Sequence, residues 1–275
     1  MSSEAKVAGH YTRGGLEETI LGAVARMGFN PDRLNALDLA PADEFHVGGL
    51  DATRELAAQM ELSPGLHILD VGSGIGGPAR YFAAEHQCKV TGVDLTEEFV
   101  SVARSLTRRT KLDHLVQFVR ASALDLKFDP GSFDRAYMIH VGMNIADKAG
   151  VFREVRRVLK PGGKFAVFDF VRSSDFPISY PVPWASSEET SFVVAKGSYR
   201  EALEKAGFRV EQERVRTDFA IEFTERAIAR AAQNGQPVLA LHLLMGDSAP
   251  VMIKNVLAMM KQGVLAPVEL HARAV

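Results

Sequence analysis

The chain is poor in cysteine, in tryptophan and in net charge, and each shortage excludes something. One cysteine, Cys88, among 275 residues rules out an intrachain disulfide, and its place at the start of an apolar run suits a buried thiol. A formal net charge of −2 leaves no electrostatic footprint for nucleic acid or an anionic membrane. Local basic groups, such as Arg104, Arg108, Arg109 and Lys111, or Arg153, Arg156, Arg157 and Lys160, read as solvated helix faces. No uninterrupted apolar run approaches the length of a bilayer span. Met1–His10 lacks a leader-like apolar core, so a cytoplasmic location is the expectation. His67, His86, His114, His242 and His271 stand apart from acids and cysteines at ligand spacing, which argues against a metal site. There is no internal repeat and no low-complexity tract. What remains is ordinary globular composition, 47% apolar and 24% charged, with enough chain to bury a full core.

The informative stretch is His67-Ile68-Leu69-Asp70-Val71-Gly72-Ser73-Gly74-Ile75-Gly76-Gly77. An apolar run ends in an acid, turns through closely spaced glycines and opens into a helix-like segment, Pro78–His86. Asp94 closes a second apolar run twenty residues beyond Gly74. That spacing suits a carboxylate at the tip of the next parallel strand, where it can accept both hydroxyls of a ribose. Gly72, Gly74 and Gly77 also satisfy G-x-G-x-x-G, the fingerprint of nicotinamide dinucleotide enzymes. Asp70 opposes that reading, since it would repel a pyrophosphate and attract an ammonium group.

The surrounding pattern alternates strand and helix, which implies a mainly parallel sheet covered on both faces. Strand-like runs fall at Leu66–Val71, Lys89–Val93, Val116–Arg120, Asp134–Ile139, Lys164–Phe170 and Phe208–Arg216. A last run alternates Val268, Leu270, Ala272 and Ala274 with Glu269, His271 and Arg273, and reads as a half-exposed closing strand. Thr96 heads a helix with Phe99, Val102, Ala103 and Leu106 on one face. Val151, Phe152, Val155, Val158 and Leu159 form a similar stripe, stopped by Pro161-Gly162-Gly163. Three regions exceed this core: residues 1–62, about 171–196, and about 217–263. Helices are expected near Leu16–Met27, Leu50–Met60, Tyr199–Ala206, Glu222–Gln233 and Ala249–Gln262. The expected division is an N-terminal helical lid (1–62) and a cofactor-binding domain (63–275) carrying two cap insertions. Met245, Met252, Met259 and Met260 read as core more readily than as pocket wall.

The block Asp70-x-Gly72-x-Gly74-x-Gly76 resembles the first motif of class I S-adenosylmethionine (SAM) methyltransferases. Phe133-Asp134 and Arg157–Gly163 are similar to later blocks of that family, in order and spacing. Asp43-Glu44-Phe45-His46-Val47-Gly48-Gly49 resembles the small-molecule members of the sarcosine/dimethylglycine and natural-product type. The resemblance implies a seven-stranded Rossmann-like α/β sheet and SAM as cofactor, leaving S-adenosylhomocysteine (SAH). It implies cofactor contacts from Asp70, Gly72, Ser73, Gly74 and Gly76, from Asp94 and Leu95, from Ser122 and Ala123, and from the backbone of His140. The family often has an acid where Ser122 stands, to take the adenine amino group; here the pattern departs, and the contact falls to Ser122, which can still accept one hydrogen bond, or to Asp125 from further along. No N-P-P-Y-like block follows His140, which turns the reading from nucleobase or protein acceptors toward a small molecule.

Methyl transfer from a sulfonium needs alignment, exclusion of water and, for a hydroxyl acceptor, a base. His140, at the mouth of the crevice, is the candidate base, with Asp169 at the next strand end to orient it. On that reading the rate rises with pH through the imidazole titration. Substrate contacts are expected from Tyr11, His46, Asn144 and Trp184. Two rivals stand beside this reading: a SAM-binding protein without catalysis, and an NAD(P)-dependent oxidoreductase.

Overall fold

A computed structural model describes residues 2–275. The N-terminal segment folds as α1 (Ser3–Tyr11), α2 (Leu16–Arg26), α3 (Ala40–Asp43) and α4 (Gly49–Ala58). The alternating core follows as β1 (His67–Val71), α5 (Gly77–His86), β2 (Lys89–Asp94), α6 (Glu97–Arg109) and β3 (Val116–Arg120). It continues as β4 (Phe133–Ile139), α7 (Lys148–Val158) and β5 (Leu159–Arg172). The chain closes with α8 (Ser198–Lys205), β6 (Phe208–Val215), α9 (Thr217–Asn234), α10 (His242–Met245), α11 (Ala249–Lys261) and β7 (Leu265–Ala274).

The strands form one seven-stranded sheet in the order β3-β2-β1-β4-β5-β7-β6. Neighbouring strands from β3 to β5 are parallel, and β7 runs antiparallel between β5 and β6. Aliphatic and aromatic side chains cover both faces. Leu69, Met138, Phe152 and Val167 lie in one core, and Ile68, Phe82, Tyr137 and Phe168 in the other. The four residues expected on the inner face of α6 are all buried.

Several expectations change. β5 begins at Leu159, five residues before the expected Lys164, and takes in Pro161-Gly162-Gly163, which had read as the stop after a helix. β7 is not half-exposed: Glu269 and His271 are buried within the sheet. Their polarity is answered locally, since Arg216 Nη1 donates to Glu269 Oε2 at 2.7 Å and His271 Nε2 lies 2.6 Å from Glu269 Oε1. Helix α9 starts at Thr217, five residues before the expected Glu222. Three helices, α1, α3 and α10, had no counterpart in the sequence reading; α1 buries only Val7 and so carries no apolar stripe.

The N-terminal segment is tied to the core by specific bonds. Glu98 of α6 accepts from the backbone N–H groups of Arg13, Gly14 and Leu16, satisfying the open start of α2. Arg80 of α5 donates to Asp43 of α3 at 2.6 Å in a fully buried pair. His242–Lys261 is apolar and long enough by composition to cross a membrane. It is broken by a turn at Gly246–Ser248, and α11 buries Met252, Val256, Met259 and Met260 against the protein body.

Candidate functional site

The tips of β1, β2 and β4 meet at one edge of the sheet, where binding crevices of open α/β sheets form. After β1 the chain doubles back, and the N–H groups of Gly72 and Ser73 both donate to Val93 O, at 2.8 and 2.9 Å. Gly72 has φ +75°, and a Cβ there would lie 2.3 Å from Val141, so the turn and its neighbour leave no room for a side chain. Gly74 (φ +53°) faces open space instead, which lets a ligand approach the main chain. Its N–H donates to Asp94 Oδ2 at 2.8 Å, while Asp94 Oδ1 accepts from Thr96 N at 2.8 Å. A carboxylate offers about four acceptor positions, so two remain for a diol.

These groups line a cavity of about 360 Å³. Asp70, Gly72, Ser73, Gly74, Asp94, Leu95, Ser122, Ala123 and His140 all border it, as do Tyr11, His46 and Asn144. Gly76 does not: a Cβ there would lie 2.4 Å from Phe118, so its role is packing at the start of α5. Tyr137, Phe99 and Glu4 also line the cavity and were not singled out from sequence. The signal for Tyr137 was a polar-tipped ring inside an otherwise apolar strand.

Four polar atoms at this wall are buried without a hydrogen-bond partner: Asp70 Oδ2, Ser73 Oγ, Tyr137 OH and His140 Nε2. Such atoms are costly unless a ligand meets them. Burial pushes the Asp70 carboxyl up to about 8 against the opposing pull of the nearby Tyr137 hydroxyl, helped by the charges of Asp94 and Glu44; Tyr137 lies close to Asp70 without making a well-formed hydrogen bond. An acid so placed lacks a cation, and the ammonium and sulfonium of SAM are cations. The donor set therefore fits SAM: a carboxylate for its charged end, Asp94 for its ribose, and an apolar slot by Phe99, Ala121 and Ala123 for its base.

A larger chamber of about 1030 Å³ lies beside the first, and Tyr11, Phe45, His46 and His140 border both. Its walls come from residues 37–51, from Pro183 and Trp184, and from residues 223–256. The lining is chiefly aliphatic and aromatic; Lys254 is its one lysine or arginine. Trp184 stacks on Phe170 with centroids 5.2 Å apart and donates through Nε1 to Ser191 Oγ at 3.0 Å. All four methionines are core, Met245 packing with Met252, and Met245 also borders this chamber.

His140 sits at the junction. It is half-buried, at φ +53°, and its N–H donates to Phe168 O at 2.7 Å. Left-handed backbone at a non-glycine residue stores strain of about 1–3 kcal/mol and is typical of functional positions. Its ring lies 4.9 Å from both Phe168 and Phe170 and 6.0 Å from His46, centroid to centroid. Burial, with the His46 charge beside it, holds the imidazole well below its usual range. His46 is itself fixed, with Nε2 2.8 Å from Glu44 Oε2, and Thr53 Oγ1 donates to the same oxygen at 2.6 Å.

Asp169 does not orient His140, and it borders neither cavity. Its carboxylate accepts from Met143 N at 3.1 Å, Phe170 N at 2.9 Å and Tyr199 OH at 2.7 Å. The reason is the pleat: side chains alternate along β5, so Phe168 and Phe170 face His140 and Asp169 faces away. Tyr11 OH donates to Asn144 Oδ1 at 2.8 Å, and Asn144 Nδ2 to Trp184 O at 2.8 Å. Three of the expected substrate residues thus form one connected bridge from α1 across the site.

Residues 69–167 match the family model described as a methyltransferase domain. The chain is 32% identical over 201 residues to phosphoethanolamine N-methyltransferase 1 of Arabidopsis thaliana, covering 70% of this chain and 39% of that protein. It is 31% identical over 163 residues to sarcosine/dimethylglycine N-methyltransferase of Halorhodospira halochloris, covering 58% of each. The chain therefore spans between 39% and 58% of the length of these relatives. Among solved structures it resembles geranyl diphosphate C-methyltransferase from Streptomyces coelicolor A3(2), crystallised with Mg²⁺, geranyl-S-thiolodiphosphate and SAH. That likeness has a TM-score of 0.72 and 17% identity, over 100% of this chain and 99% of that one, and it concerns the fold.

Proposed function

From the premise that this chain belongs to the class I SAM-dependent methyltransferases, we propose that it methylates a mainly apolar small molecule held in the larger chamber. SAM supplies an activated methyl group, displaced in line by the acceptor with the electron pair of the broken C–S bond going to sulfur. The chain's own residues align and shield. Asp70 and Asp94 hold the donor, and the bridge Tyr11–Asn144–Trp184 covers the junction from the α1 side. His140, its Nε2 unpartnered and its imidazole held toward the neutral form by burial, accepts the proton that a hydroxyl acceptor must lose. Asp169 acts as a positioning residue, fixing the turn that follows His140 through Met143 N.

One observation carries the acceptor class: two cavities share a wall of four residues, and the outer one is chiefly apolar, with Lys254 its one lysine or arginine, three histidines, and Glu44 and Asp51 offsetting positive charge. A phosphate or diphosphate head would need more positive charge than Lys254 provides. The test is a methyl-transfer assay with SAM across apolar alcohols, phenols and amines, set beside phosphorylated amines. Apolar acceptors are expected to turn over. Ile228→Arg, on the chamber wall, is expected to abolish turnover while SAH affinity stays within about threefold of wild type. Preferred turnover of a phosphorylated amine, untouched by Ile228→Arg, would overturn the acceptor reading. SAH binding with no methyl transfer to any acceptor would favour a catalytically silent SAM binder.

A further inference from the structure

β3 is followed by Ser122 where the family often has an acid, and a different acid lies against that serine. The sheet order places the donor's base over β2 and β3, beyond Asp94, where Ala121, Ser122 and Ala123 border the cavity. Glu4 of α1 borders the same end. Ser122 Oγ accepts from Leu124 N at 3.1 Å and gives its one proton to Glu4 Oε1. The serine hydroxyl is thus committed as a donor to glutamate, while Glu4 Oε2 makes no bond of its own to the protein among the described residues. The helix that carries Glu4 is fixed at both ends. Ser2 Oγ caps Ala5 N at 3.2 Å, Lys6 pairs with Glu189 at 2.8 Å, and Tyr11 bonds Asn144.

Resting on the donor reading above, the geometry points to Glu4 as the residue that reads the adenine amino group, its carboxylate held in place by Ser122. A carboxylate only accepts, and the 6-amino group of adenine donates. Hypoxanthine carries a carbonyl at that position, so two acceptors would face each other there. Adenine recognition is thereby vested in the covering helix rather than in the sheet.

The experiment is calorimetry of the full chain with SAH and with S-inosyl-L-homocysteine, the folded state of each variant being checked by circular dichroism. Wild type is expected to bind SAH tighter by about tenfold or more, the scale of one charge-assisted hydrogen bond. Glu4→Gln, whose amide can turn to suit either base, is expected to bring the two affinities within about threefold. Glu4→Ala with Ser122→Asp, which returns the acid to the β3 side, is expected to restore the preference. Trypsin cleavage after Lys6 is expected to slow with SAH and much less with the inosyl compound. A wild-type preference that survives Glu4→Gln would overturn the assignment to Glu4 while leaving the donor site intact. A wild type that binds no SAH would overturn both.

Discussion

Donor binding is expected to release a proton from Asp70. Burial lifts this carboxyl to about 8, so at pH 7 it is protonated in about nine molecules of ten. A cation brought against it favours the charged form and draws it toward the ordinary aspartate value of about 4. Affinity therefore rises with pH, about tenfold per unit at full linkage, between about pH 4 and pH 8, and levels off above. If the shift is complete, about 5 kcal/mol of coupling is involved. In the protein alone the sign is opposite. The folded state binds the extra proton, so its contribution to stability is full below about pH 4 and is lost as pH rises through 8. The assay is calorimetry with SAH at pH 7 in two buffers of different ionisation heat. The apparent enthalpies should differ by about 0.9 times the difference between those heats. Asp70→Asn should remove most of that difference and weaken binding. Buffer-independent enthalpy in a wild type that binds well would refute the argument.

His140→Ala is expected to lower kcat by about 10²-fold or more with SAH affinity within threefold, and a variant keeping above a tenth of the rate would exclude a base role. Because the imidazole is held well below its usual range, the wild-type rate should show no His140 titration between pH 6 and 8, nor should Asp169→Asn introduce one. Asp169→Ala leaves two buried amides and the Tyr199 hydroxyl unpaired, and should destabilise the fold by about 2–5 kcal/mol in urea titration. Glu269, held down at about 2 with His271 and Arg214 bonding its charged form against the penalty of burial, contributes stability that is complete above about pH 4.5. That contribution, about 3 kcal/mol, is lost as pH falls toward 2, and Glu269→Gln should flatten this acid limb.

Buried parallel strands were the most legible part of the chain, because β1, β2 and β4 are short apolar runs ending at recognisable punctuation, as is the second half of the longer β5. Periodicity failed where side chains answer each other instead of water. The alternation in β7 suggested an exposed face, but Arg214 and Arg216 lie one strand away and neutralise Glu269 inside the sheet. Helices α1 and α9 were missed or misjudged at their starts because each buries a single residue, Val7 and Ala220. The remainder of their inner faces lines cavities, which leave no mark on a hydrophobic stripe. Most residues bordering the smaller cavity at the strand tips were readable from one motif and its spacing. The pairing of Asp169 with His140 was not, since adjacent strand ends alone do not say which way a pleat turns each side chain.

The partition at His140 separates two kinds of heredity. Donor contacts are anchored at strand tips, where a change disturbs the central sheet. The acceptor chamber is walled almost wholly by residues 37–51, 183–184 and 223–256, which lie outside the strands. Substitutions accumulating at residues 223–256, none of which borders the smaller cavity, leave Asp70 and Asp94 untouched. The chain is therefore built to change its clientele while keeping its currency, and an engineer seeking new acceptors should randomise the α9–α11 wall before touching any residue of the glycine loop.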